Sequence, residues 1–190
     1  MQPNTEKIFM DEKEFMKKIS VFGKPGGGKS TLSKKLSVST GIKVFPLDLI
    51  EYRQNGERVP KEEFLEAHEE LITSESWIID GLGTLGSFWS RVDAADTLIY
   101  VDLAYRVHYW WVIKRLLISL FVKPEGWPEG SSVLKGTVAS WKYLRLSPYF
   151  WTSELFEKLQ LRAKNKSIYR ITSVKELNDF VEKVVQSEGI

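Results

Sequence analysis

The sequence predicts an α/β fold with a doubly wound parallel sheet, and three observations carry that expectation. Five short β-branched or aromatic runs alternate with stretches of helical periodicity. A glycine-rich turn joins the first run to a helix. The run at 77–79 delivers an aspartate at its tip, and a second aspartate lies just past the run at 42–45, where open α/β sheets place their ligands.

Composition limits the rest. A chain of 190 residues with 43% apolar and 27% charged residues reads as one globular domain, 1–190. Net charge is +2 and no long run has one sign, which argues against a dedicated nucleic-acid binder. There is no cysteine, so disulfides, thiolate metal sites and cysteine catalysis are excluded. The N-terminus lacks the basic and apolar regions of a signal peptide. No apolar run approaches the roughly 18 residues that a bilayer span needs. The expectation is a cytoplasmic protein with no membrane partner and no clear nucleic-acid site. Seven tryptophans are the compositional oddity.

Residues 1–17 form an extension before the first strand at 19–22. The turn that follows, Gly23-Lys24-Pro25-Gly26-Gly27-Gly28-Lys29-Ser30, fits G-x-x-x-x-G-K-[ST] at every fixed position. A triphosphate must be wrapped by backbone N–H groups, and the chain comes that close only where side chains are absent. Gly26, Gly27 and Gly28 supply that absence. The next helix, with Leu32 and Leu36 on one face, points its N-terminus at the phosphates. Lys29 is expected to reach the β- and γ-phosphates and the Ser30 hydroxyl to meet Mg²⁺.

That helix should end at Thr40 with Gly41 as its left-handed cap. The second strand, 42–45, is closed by Pro46. Asp48, Glu51 and Arg53 come next. They could meet an acceptor substrate, or Asp48 could cap a helix with Glu51 completing a capping box or an ion pair. A turn at Asn55-Gly56-Glu57 precedes a helix begun at Pro60, whose His68 reads as a packed face residue. Trp77-Ile78-Ile79-Asp80-Gly81 reads as a buried strand ending in one carboxylate, suited to hold a metal's water shell. The bland alternative is a plain strand-to-turn Asp-Gly. A flexible loop is expected at 82–87. Arg91 after it either pairs with an acceptor's phosphate or lies at the surface.

The fourth strand, 97–102, ends in Asp102, which is expected to cap the next helix. Residues 104–122 read as a helix apolar nearly all round, interrupted by Arg106, His108, Lys114 and Arg115. Arg106 and Arg115 point oppositely and should not serve one site unless the helix breaks. Two prolines and two glycines make 123–132 a loop placed to serve as a lid. Residues 133–163 read as helical with a break near Ser147-Pro148, carrying an exposed basic pair, Lys142 and Arg145. The fifth strand is 167–171. Ser173-x-x-Glu176 then opens an amphipathic last helix.

Together these residues resemble the nucleoside-monophosphate-kinase group of phosphate-loop proteins. Within it they look most like the adenylate-kinase-related family labelled DNA topology modulation protein, FlaR-like. The likeness rests on the loop and its helix, on Trp77-Ile78-Ile79-Asp80-Gly81, on Arg91 with Ala95-Asp96, on Val101-Asp102-Leu103 leading to Arg106, on Lys114-Arg115, and on Arg170-Ile171-Thr172-Ser173 with Glu176-Leu177. The resemblance implies a P-loop NTPase three-layer sandwich, a five-stranded parallel sheet in the order 2-3-1-4-5, and a helical lid at roughly 115–145. It implies an ATP-binding phosphotransferase, a nucleotide or small-molecule kinase. ATP and Mg²⁺ would be held by Gly23, Gly26, Gly27, Gly28, Lys29, Ser30 and Thr31, with Ser30 and Asp80 at the metal. Lys29, Asp48, Asp80 and Arg115 would carry transfer to a small acceptor. A nucleotide-binding regulatory ATPase is the alternative. The chain departs from these relatives at Leu82-Gly83, where they tend to have Asn-Tyr, and in a lid poor in arginine.

Overall fold

The computed structural model describes residues 16–53, 56–119, 121 and 132–186. Most of the N-terminal extension, Asn55 of the expected turn, and all of the expected 123–132 loop except Ser132 lie outside that set.

Strands β1 (Lys18–Gly23), β2 (Val44–Pro46), β3 (Trp77–Asp80), β4 (Thr97–Val101) and β5 (Ser167–Ile171) form one sheet. All neighbouring pairs are parallel, and the order is β2-β3-β1-β4-β5. The sheet is covered on both faces, so its strands are apolar on both. Alternation along each strand divides them. Ile19, Val21, Ile78, Ile99, Val101 and Ile171 face one core with Leu32 and Leu36. Phe22, Trp77, Ile79, Leu98 and Tyr100 face the other with Phe64 and Phe88. The first core is covered by α1 (Lys29–Thr40) and α8 (Val174–Gln186). The second is covered by α3 (Lys61–Thr73), α4 (Leu85–Ala94) and α7 (Ser153–Arg162), together with the short α2 (Leu47–Glu51). Helices α5 (Tyr105–Ser119) and α6 (Val133–Phe150) pack on each other as a hairpin. A lid spanning 115–145 would begin and end inside these two helices.

Two local expectations are corrected. Residues 85–94 are helical, because Thr84 and Ser87 cap each other reciprocally and start a helix inside the expected loop. Pro148 does not break α6; the helix runs to Phe150 and ends at Trp151. The separate helix α7 is then nucleated by Thr152, which accepts from the Leu155 N–H at 3.2 Å. At the start of α8 the expected pairing forms. Ser173 Oγ accepts from Glu176 N at 3.1 Å, and the Glu176 carboxylate accepts from the Ser173 backbone and, at 2.7 Å, from Thr172 N. Gly41 caps α1 in the left-handed conformation, as expected.

Candidate functional site

The site grows from the end of β1. Gly23 has φ 142°, and a Cβ there would lie 2.2 Å from the Val101 carbonyl oxygen on β4, closer than any side chain can come. Gly26, at φ 68°, would bring a Cβ within 2.6 Å of Val112 and 3.0 Å of the His108 carbonyl oxygen. Sterics therefore demand glycine at both places, and the second shows that α5 packs directly against the loop. Gly28 is the N-cap of α1 and offers no side-chain cap. The first-turn N–H groups of Lys29, Ser30 and Thr31 are left for an anion.

Lys29 curls back and donates from Nζ to the Lys24 carbonyl oxygen at 2.9 Å. Burial holds its ammonium below the usual lysine range, opposed by the charges of Asp80 and Asp48 and assisted by Arg115. Four charged side chains from β3, α1, α2 and α5 thus share one electrostatic neighbourhood. Asp80 is buried at the tip of β3, in register with Val21 of β1. Its Oδ1 has no hydrogen-bond partner, and Ser30 hydrogen-bonds to the carboxylate. Burial raises its pKa; Lys29 and Ser30 pull the other way. Asp48 is exposed in the first turn of α2. It is not the helix cap, a place taken by Pro46. Arg115 on α5 feels the Asp48 charge and donates to Ser140 Oγ of α6 at 3.0 Å.

The structure takes other candidates out of this group. Glu51 is buried and ion-paired with Arg58, so it completes no capping box. Arg53 pairs with Glu63 at 3.0 Å on the surface. Arg106 is exposed on the outer side of α5. Arg91 is neither an acceptor contact nor a surface group. It is fully buried and donates to Ser20 Oγ (3.1 Å) and to the carbonyl oxygens of Gly81 (2.8 Å) and Leu82 (3.1 Å), with Nη1 3.3 Å from His68 Nε2. It clamps the Asp80-Gly81 turn from below. Burial lowers its pKa to about 9, against the pull of Asp80.

Two residues beneath the loop escaped sequence reasoning. Lys24 is buried and ion-paired with Asp102, with its ammonium 4.8 Å from the Tyr105 ring centroid. Asp102 also accepts from Arg170 Nε at 2.9 Å, so it ties the loop to β5 and does not cap α5. Burial raises its pKa, but the Lys24 and Arg170 hydrogen bonds leave it below the usual range. His108 has its Nδ1 2.8 Å from the Pro25 carbonyl oxygen, which can only accept. The Nδ1–H therefore donates, and burial pushes the ring's pKa down to about 4. The signal for Lys24–Asp102 was the strand order itself, which sets β4 beside β1. For His108, the spacing of seven from Arg115 sets both on one face of α5, but does not tell that this face meets the glycine loop.

Solved structures supply the fold relationship. The chain is similar to shikimate kinase from Acinetobacter baumannii in complex with shikimate, at a TM-score of 0.53 and 15% identity over 93% of this chain and 95% of that one. Shikimate kinase from Aquifex aeolicus matches at a TM-score of 0.47 and 17% identity, over 89% and 94% of the two chains. An unliganded sugar kinase from Janibacter sp. matches at 0.44 and 16%, over 89% and 90%. No family model and no curated protein matches the sequence. The sheet order and the likeness to the Acinetobacter baumannii enzyme define a P-loop kinase fold.

Proposed function

We propose that the protein is an ATP-dependent phosphotransferase acting on a small acceptor, in which the hairpin of α5 and α6 belongs to the lid. The observation that carries this reading is a glycine loop, open at the start of α1, beside buried Lys29 and the unpartnered Asp80 Oδ1, with the charges of Asp48 and Arg115 felt at Lys29. The loop N–H groups from Gly26 to Thr31 wrap the triphosphate, and Lys29 exchanges its Lys24 carbonyl for phosphate oxygens. A divalent cation needs hard oxygens with free lone pairs. The unpartnered Asp80 Oδ1 and the neighbouring Ser30 hydroxyl fit that need. Among the described residues no cluster of three or more His, Cys, Asp or Glu could hold a metal alone, which suits a cation shared with phosphate and water. When bound, Mg²⁺ neutralises phosphate charge.

Asp48 accepts the proton of an acceptor hydroxyl as that oxygen attacks the γ-phosphorus. The bond from that phosphorus to the bridging β-phosphate oxygen breaks, and ADP leaves. Arg115 stabilises the charge spread over the transferred group. Its bond to Ser140 would carry α6 with it when it turns to phosphate.

The test is ADP release with Mg²⁺-ATP and a panel of nucleoside monophosphates, nucleosides and hydroxylated metabolites. One acceptor class should stimulate turnover, and Lys29→Ala should reduce it by about 10²–10³-fold with the circular dichroism spectrum unchanged. Turnover indifferent to every acceptor would replace the kinase with a nucleotide-binding regulatory ATPase.

A further inference from the structure

The hairpin of α5 and α6 buries a narrow mixed face: His108 and Val112 from α5, and Thr137, Leu144 and Ser147 from α6. His108 and Val112 meet the glycine loop, while the Thr137 and Ser147 hydroxyls donate to carbonyl oxygens of their own helix. Its outward side mixes large apolar residues with basic ones. On α5, Arg106, Trp110, Lys114 and Leu117 are exposed at steps of four, four and three, which is one helical stripe, and Phe121 is exposed just beyond the helix. On α6, Leu134, Val138, Trp141, Arg145 and Tyr149 repeat the pattern. Phe121 is 89% exposed and Tyr149 85%, so no other described residue covers either. Tyr109 of α5 meets the Trp141 ring edge-on at 5.6 Å and joins the two helices beside these stripes.

Charge marks the same surface. The sequence from 103 to 124 and from 130 to 153 contains no Asp or Glu, although the chain holds 25 acids against 27 basic residues. Arg106, Lys114, Lys142 and Arg145 stand exposed among the outward aromatics. The remainder of the chain is therefore net acidic while this face is basic.

We propose that the outward face of the α5/α6 hairpin docks the protein on an anionic phospholipid surface, with the helices lying in the headgroup layer. Tryptophan and tyrosine belong at that boundary because each ring has an apolar body and a polar edge. Exposed lysines and arginines draw an apolar helical face onto anionic lipid. The stripes are about 16 Å long on α5 and about 22 Å on α6, from 1.5 Å per residue, long enough to lie in the plane. No described helix is long and apolar enough to cross a membrane, so the contact is peripheral. The aliphatic members, Leu117, Ile118, Leu134, Val138 and Leu146, disfavour single-stranded RNA, which takes its energy from base stacking on aromatics. The unrelieved positive charge disfavours a second copy of the same face, since like charges would oppose one another.

The experiment is co-sedimentation of the full chain with vesicles of phosphatidylcholine alone and with vesicles that also contain phosphatidylserine. Binding should require phosphatidylserine, shift tryptophan emission to the blue and reverse with added salt. The double variants Trp110→Ser/Tyr149→Ser and Lys142→Glu/Arg145→Glu should each weaken it about tenfold or more, with unchanged melting temperatures. Vesicle binding needs no turnover, so the result is independent of the phosphotransferase reading. No sedimentation, or equal binding to both vesicle types, would overturn the proposal. So would light scattering that shows a dimer broken by these variants, or RNA binding lost in them without any vesicle binding.

Discussion

Arg91 shows how one buried side chain can set a site that it does not touch through solvent. Its guanidinium satisfies two carbonyl oxygens of the turn after Asp80, a serine of β1 and the neighbourhood of His68. Arg91→Leu keeps much of the volume but strands those acceptors, and breaking such a buried charged network costs about 3 kcal/mol. Urea unfolding should record that loss; a change under about 0.5 kcal/mol, as at an ordinary surface site, would return Arg91 to a passive role. His68 and His108 belong to the same scale. Burial lowers both to about 4 from 6.5. A histidine with a depressed folded pKa leaves the unfolded chain binding more protons, so its stability contribution is complete above about 6.5 and is lost as pH falls toward 4. Between those values each adds a slope approaching about 1.4 kcal/mol per pH unit. Asp80, raised by burial, works in the opposite sense in its own window, so the comparison must be differential. The pH dependence of the urea midpoint should flatten between pH 7 and 5 in His68→Gln and in His108→Gln relative to the parent. An unflattened profile would mean that the rings protonate freely in the folded chain.

At the scale of elements, what holds each helix explains which ones the sequence revealed. Helix α4 begins with the reciprocal Thr84 and Ser87 cap. Thr84→Ala removes it and should lower stability by about 1 kcal/mol, measured by thermal unfolding; since α4 carries Arg91, the Asp80 turn should loosen with it. A variant as stable as the parent would show that packing of Phe88 and Val92 alone sets the start of α4. This cap was legible in principle. Thr84-Leu85-Gly86-Ser87 lacks the Glu or Gln that signals a capping box, and Gly83 and Gly86 in the 82–87 stretch read as flexibility. The strands were far more legible, because double-sided burial writes near-continuous apolar runs. The glycine loop and the Asp80 tip were equally plain, each bounded by such a run. What stayed hidden was pairing across the fold. Asp102 could be read as a local cap only while Lys24 and Arg170 were distant in sequence. Arg91 lay at a position whose surroundings come from β1, α3 and the β3 turn together. Pro148 misled because a proline near a helix end removes little when the last turn is already closed by the Trp151 N–H on the Ser147 carbonyl.

For the molecule as a whole, the sheet order decides that β1 and β3 lie side by side, with the loop and Asp80 at one edge. Helices α1, α2 and α5 converge there from three parts of the chain and hold like and unlike charges close together. Such an arrangement is costly without an anion: Lys29 is held below its normal range by burial, and Asp80 keeps an unpartnered oxygen. A ligand that satisfies these groups binds the folded chain and not the unfolded one, so it must stabilise the molecule by mass action. At a free nucleotide concentration about 100 times the dissociation constant, linkage gives about 2.7 kcal/mol. For a chain of this size that corresponds to a rise of about 5–10 °C in melting temperature. A non-hydrolysable ATP analogue with Mg²⁺ should produce this shift, chelation of the metal should reduce it, and Lys29→Ala should abolish it while melting near the parent's unliganded temperature. An equal shift in the parent and in Lys29→Ala would place the nucleotide elsewhere on the molecule, and no shift at any concentration would deny the loop a nucleotide altogether.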